Sequence, residues 1–195
     1  ALAGVGAILA VGIGFGLQNI AQNFVSGLIL LLERPVKKGD FVQVGEVRGT
    51  VRDIRARATV VTTLDNVDII VPNGQFITEP VTNETFGDRR VRVKVKVGVA
   101  YGSDTDRVRR TLLEVAEAYP GVLADPPPQV LFREFGDSSL DFQLAVWLAD
   151  PRDENPAASE LRFAVDRAFR EAGIEIPFPQ RDLHLRTGWP SADAE

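Results

Sequence analysis

His184 is the one histidine of this 195-residue chain, and cysteine is absent, so the usual bases, nucleophiles and metal ligands are scarce. A lone histidine near the C-terminus reads as a packing or hydrogen-bonding residue at a subunit contact rather than as a base or ligand. Without cysteine there is neither disulfide nor thiol chemistry. Asp104 with Asp106, and Asp150 with Asp153, have the proximity of carboxylate pairs, yet a helix start and a solvated loop account for them. Ser138 and Ser139 have no neighbouring histidine or lysine in sequence and read as a turn. Gly12, Gly14 and Gly16 begin like a phosphate-cradling fingerprint. That motif needs a preceding strand, a last glycine three residues after the second, and an acid about 20 residues on. Leu17 stands where the last glycine belongs, and Asn19 to Leu32 holds no acid. The basic residues Lys37, Lys38, Arg48, Arg52, Arg55 and Arg57 are interleaved with acids and poor in aromatic neighbours, which argues against nucleic acid. The expectation is a protein that is not an enzyme, with no metal site, no cofactor and no nucleic-acid partner.

What the chain offers instead is an opening without charge. Residues 1–32 contain no acidic or basic side chain, a run longer than the ~20 apolar residues that cross a bilayer. Placed at 3.6 residues per turn, Ile8, Val11 and Phe15 share one face, and Leu2, Leu9, Ile13 and Leu17 lie roughly opposite. Two seams of small residues separate them: Ala3, Gly6, Ala7, Ala10 and Gly14 on one side, Ala1, Gly12 and Gly16 on the other. In lipid, helices associate by close packing at small residues. Two seams imply two like neighbours, which close a ring by a heterologous contact and turn one bulky face to its axis. Ile8, Val11 and Phe15 are the candidates for that face. A buried helix or signal anchor with tightly packed glycines is the plainer alternative. Residues 1–17 span roughly 26 Å as a helix. From Gln18 the pattern becomes amphipathic, with Asn19, Gln22, Asn23 and Ser26 against Ile20, Phe24, Leu28, Leu31 and Leu32, as an interfacial helix after a bend at Gln18–Asn19 would be.

Charge divides the chain in the same way. Residues 33–57 carry seven basic against four acidic side chains, residues 58–100 five of each, and residues 101–195 ten against eighteen, within an overall −5. A basic stretch beside an apolar helix marks the cytoplasmic side. The absence of methionine, and a start inside an apolar helix, are expected of a piece of a longer protein with membrane segments upstream.

The elements after Pro35 are short. Phe41–Val44, Val47–Ile54, Ala58–Thr63 and Val67–Val71 are β-branched runs that predict a small barrel or sheet, stopped by the turn Pro72-Asn73-Gly74. Val91 to Val99 alternates with Arg92, Lys94 and Lys96 as a half-buried strand. An amphipathic helix follows over Asp104–Ala118, capped by Ser103 or Asp104. Strands Gln129–Phe135 and Leu140–Leu148, a helix over 156–172 capped by Gly173, and a short strand Ile174–Ile176 complete the order β-α-β-β-α-β of a split ferredoxin-like fold.

The ordered set Gly12-Ile13-Gly14-Phe15-Gly16-Leu17-Gln18, Asn23-Phe24, Ser26-Gly27, Glu33-Arg34-Pro35, Gly39-Asp40 and Gly49-Thr50-Val51 resembles the mechanosensitive channel of small conductance (MscS) family. Val71-Pro72-Asn73-Gly74, Gly98-Val99-Ala100-Tyr101 and Ile176-Pro177-Phe178-Pro179-Gln180 extend the resemblance over about residues 4–186. It implies a homo-oligomer, expected to be a heptamer, opened by membrane tension and passing ions and small solutes during hypo-osmotic shock. It also implies a multi-pass protein of the cell (inner) membrane, with membrane lipids as neighbours and residues 36–195 cytoplasmic. The implied fold is membrane α plus β. Residues 1–35 would be the kinked pore-lining helix and its interfacial continuation, 36–87 an Sm-like β-barrel domain, 88–180 a ferredoxin-like αβ domain, and 181–195 a C-terminal strand and tail, the strand at about Leu183–Arg186. The family's seal positions fall on Val11 and Phe15, with Ile8 also facing the pore. Its packing positions fall on Gly4, Ala7, Ala10, Gly12 and Gly14, to which the seam adds Gly16. Two departures stand out. Asn19 occupies the place of a kink glycine, which leaves the bend to Gln18, Asn19 or Gly27, and the seal is valine with phenylalanine rather than two leucines. A membrane-anchored oligomeric module that binds a ligand or acts as a scaffold, without conduction, is the alternative function.

Overall fold

The computed structural model describes residues 2–184, with side chains from Val11 onward. A single helix, α1 (Leu2–Glu33), opens the chain. Its helical assignment continues through Gln18, Asn19 and Gly27, so the two expected segments belong to one element. It stops where Arg34 adopts φ 54°, its N–H still bonded to the Leu30 carbonyl at 3.1 Å. Pro35 follows, and having no N–H it cannot continue the ladder.

Four strands follow, β1 (Phe41–Val44), β2 (Val47–Ile54), β3 (Ala58–Thr62) and β4 (Asp68–Pro72), then a helical turn α2 (Gln75–Thr78) and β5 (Val81–Asn83). They form an antiparallel sheet in the order β4-β3-β2-β1-β5. The first four strands lie within one residue of their expected ends. The last two elements are too short for periodicity to reveal. Gly49 is required where β2 passes β3, because a Cβ there would run into the Thr62 carbonyl. The core of this unit is Val36, Val42, Val44, Val51, Val61, Val71 and Phe76, and Leu30 of α1 enters it at 1% exposure. Burying one leucine contributes roughly 1.5–3 kcal/mol, enough to hold the last turn of α1 down.

The second half contains β6 (Val91–Val99), α3 (Thr105–Ala118), β7 (Gln129–Phe135), β8 (Leu140–Leu148) and α4 (Glu154–Ala172). The strands lie in the order β6-β8-β7. Asp104 caps α3, its carboxylate accepting from the N–H groups of Asp106 and Arg107 at 3.0 and 3.1 Å. Val93, Val95, Val99, Val108, Leu112, Leu144, Val146, Leu161, Val165 and Phe169 are buried as the core. Gly98 is needed because a Cβ there would stand 2.9 Å from the Ser139 side chain.

The expected strand Ile174–Ile176 is absent. Gly173 takes φ 64° and the Ile174 N–H bonds back to the Phe169 carbonyl at 2.8 Å, so the capping turn of α4 consumes a donor the strand would need. The bond from Ala100 N–H to the Glu175 carbonyl, 2.9 Å, is what this segment retains of strand-like pairing, and Pro177 and Pro179 cannot donate to extend it. Leu183 and His184 are likewise not in a strand. The rest of that expected strand lies outside the described residues.

By contacts the chain separates into two compact units. One runs to Val91 and includes Leu148–Glu154; the other comprises Arg92–Trp147 and the chain from Asn155.

Candidate functional site

The upper part of α1 makes a surface that its own chain leaves open. Phe15 is 74% exposed and Val11 58%, with Ile13, Leu17 and Ile20 also exposed. Val11 and Phe15 stand on one face with Gln18, Gln22 and Val25, around a shallow groove floored by Gly14 and Ala21. A Cβ added at Gly12, Gly14 or Gly16 would meet nothing within 4 Å. Glycine costs about 1 kcal/mol against alanine in a helix interior, and three of them gain no contact within this chain to offset it. The stretch Val11–Glu33 is long and apolar enough to cross a membrane, with 17% of its apolar window buried in the protein.

Four turns further on the same helix is seated. A Cβ at Gly27 would collide with the Asn73 amide and stand 2.6 Å from the Ala56 carbonyl oxygen, and Ser26 beside it is buried. Asn23 takes the Gly74 N–H on its Oδ1 at 2.9 Å, while its own amide donates to the Asn19 carbonyl at 2.8 Å. Under this contact Asn73 is fully buried and satisfied. It donates to the Arg55 carbonyl at 2.9 Å, and its Oδ1 accepts from the Thr59 hydroxyl at 2.8 Å. A buried amide left unpaired would cost about 1–3 kcal/mol, so bonds to its own β unit hold the Pro72-Asn73-Gly74 turn beneath α1. The seat is thus a glycine pressed on a carbonyl, a side-chain amide on a turn N–H, and Leu30 in the sheet core.

Ion pairs hold the segment that returns to this unit late in the chain. Arg48 reaches Glu84 at 2.9 and 3.0 Å and Glu154 at 2.6 Å, with its guanidinium 5.2 Å from the centre of the Phe41 ring. Donating to the Glu84 carboxylate pushes the already high Arg48 pKa further up, against the pull of burial. Arg152 and Arg89 face Asp150 at 2.5 and 3.4 Å. The Arg152 hydrogen bond, foremost, brings the Asp150 carboxyl down to about 2.

Of the residues singled out from sequence, Val11 and Phe15 share a face, Gly12, Gly14 and Gly16 lie open, and Gly27 is in intrachain contact. Gly4, Ala7, Ile8 and Ala10 are helical, in the part of α1 whose side chains are outside the description. Gln18 and Asn19 lie mid-helix. The Asn23–Gly74 contact spans 51 residues and no local spacing announces it. Its one sequence signal is the cluster of amides and a serine inside an uncharged helix.

Two family models match the chain, "Mechanosensitive ion channel, beta-domain" over residues 19–85 and "Mechanosensitive ion channel MscS, C-terminal" over residues 93–176. The mechanosensitive channel MscK of Escherichia coli K12 is 45% identical over 179 residues, which is 92% of this chain and 16% of that protein. The small-conductance mechanosensitive channel of Edwardsiella ictaluri is 38% identical over 89% of this chain and 60% of its own length. The closed-state crystal structure of Helicobacter pylori MscS superposes with a TM-score of 0.87 at 24% identity, over 96% of this chain and 74% of that one. The chain thus spans from a sixth to three fifths of the length of these two relatives, and its fold is the one seen in the solved channel.

Proposed function

From a chain that belongs to the MscS family of mechanosensitive channels, we propose the pore-forming and cytoplasmic part of a tension-gated channel. The carrying observation is that a Cβ at Gly12, Gly14 or Gly16 of α1 would meet nothing within 4 Å, so these glycines serve no packing among the described residues. Copies of α1 packed through Gly4, Ala7, Ala10, Gly12, Gly14 and Gly16 supply such packing, as small residues do between helices in lipid. In the resulting ring, expected to be a heptamer in the inner membrane, Ile8, Val11 and Phe15 turn to the axis. Rings of Val11 and Phe15 give water few partners, so the constriction dewets and blocks ions without a plug.

Opening slides the helices along their small seams. Tension favours the wider state because that state occupies more membrane area, and only a term that differs between states shifts the balance. The seat at Asn23, Gly27 and Leu30 makes the lower helix move with the β unit, so a bend near Gln18–Asn19 is where the freer upper segment pivots. The five-stranded sheet is read as an Sm-like β domain, its edge strands β4 and β5 unpaired with each other, and the β6-β8-β7 layer with its two helices as a ferredoxin-like domain lacking its last strand. Together they line a cytoplasmic vestibule passed by ions and small solutes.

The experiment is patch recording of the full-length protein under graded suction. Phe15→Ser is expected to wet the closed pore and open it at lower tension. An unchanged or higher threshold rejects the seal, and a monomeric detergent-solubilised particle rejects the ring.

A further inference from the structure

The sheet β6-β8-β7 carries a depression of about 520 Å³ that the channel reading does not use. Its lining comes from all three strands: Lys94 and Lys96 on β6, Asp141 and Gln143 on the central β8, Arg133 and Glu134 on β7. A bulge between Phe132 and Glu134 interrupts the β7–β8 register at Arg133, and an extra residue of this kind re-aims side chains. It brings both Arg133 and Glu134, adjacent in sequence, to the same hollow.

Two observations mark this as more than a charged surface. None of Lys94, Lys96 and Arg133 has an ion-pair partner among the described residues, so all three charges stand open toward the hollow they line. Gln143 is 5% exposed and its side-chain amide makes no hydrogen bond among the described residues. Its polar atoms are not sealed in the core, since Arg92 Nε is the one buried side-chain polar atom without a partner among the described residues, so the amide is free to meet a ligand in the hollow it lines. On the acidic side, Asp141 already accepts from the Ser139 hydroxyl at 2.6 Å. Three cations against two carboxylates leave the lining one positive charge in excess, which suits a singly charged ligand better than a polyanion.

We propose that this hollow binds a small solute through an oxyanion group, a carboxylate or a phosphate. The Gln143 N–H donates from the floor, and Lys96, Lys94 and Arg133 close on the oxygens from the flanking strands. Charge-assisted bonds to such oxygens are the stronger kind.

The test is calorimetric titration of the assembled full-length protein in detergent at low ionic strength, with acetate, inorganic phosphate and ATP as probes. Saturable binding of acetate or phosphate, weakened about tenfold by Lys96→Ala and by Arg133→Ala with particle size unchanged, supports the site, and the tighter of the two probes identifies the group. Arg107→Ala, which removes an exposed cation of α3, is expected to leave binding as it was. Equal weakening by all three variants, no saturation, or ATP binding more than tenfold tighter than both small anions overturns the proposal. The readout needs no gating, so a channel that fails the suction test can still pass this one.

Discussion

Glycine means two different things at the two ends of α1. At Gly12, Gly14 and Gly16 a side chain would find open space, whereas at Gly27 it would strike Ala56 and Asn73. The upper glycines answer to something outside the chain and Gly27 answers to the fold. On the proposed packing, the contrast separates the part of the helix that fits its copies from the part that fits its own β unit, and the same substitution at the two places should distinguish them.

Gly27→Leu carries the largest expected effect. With backbone on the far side of the contact there is no flexible side chain to give way, and overpacking of this kind costs about 3 kcal/mol. Amide exchange over residues 23–33 should lose its protection. Gly14→Leu should leave that protection intact and instead obstruct helix sliding, raising the opening tension in patch recordings. Loss of the seat in Gly14→Leu, or its survival in Gly27→Leu, would break the comparison.

Smaller effects refine it. Asn23→Ala removes the acceptor for the Gly74 N–H and should cost about 1 kcal/mol, read as a lower unfolding midpoint with α1 still helical. Acid should act on the chain after residue 32, since residues 1–32 contain no titratable side chain. Asp150 sits at about 2 when folded, below its unfolded value. Its contribution is therefore complete above the ordinary carboxylate range and is lost as pH falls from about 4 toward 2. Solvent screening around Arg152 keeps it under about 1 kcal/mol. An acid titration of unfolding should show this step, and Asp150→Asn should remove it. Gly12→Ala meets no obstacle within the chain and should raise helix stability by up to about 1 kcal/mol, read as an unfolding midpoint that does not fall.

Much of this architecture is local and therefore legible. The alternation from Val91 to Val99, the β-branched runs before Pro72 and the Asp104 cap each state their element within a few residues. The same locality explains the failures. Three residues at Val81–Asn83 are too few to show a period, and pairing with β1 makes them a strand. Ile174–Ile176 has strand composition, yet the helix cap before it and the prolines after it leave little backbone to pair. The candidate surface divides in the same manner: the shared face of Val11 and Phe15 follows from helix geometry, whereas the seat joins Asn23 to Gly74 across 51 residues. Asn73 reads as a turn residue in sequence, and only the folded chain reveals it as the buried post beneath α1.

The return of Leu148–Glu154 to the first unit has a practical consequence for anyone dissecting this protein. The chain crosses between units after Val91, after Trp147 and after Glu154, so neither unit is a contiguous fragment. A cut near residue 91, where a domain map would place it, strands Glu154 without Arg48 and Asp150 without Arg89. It also deprives the first fragment of its last segment. Expression of the β unit by itself therefore calls for a chain in which Leu148–Glu154 is grafted back after residue 91.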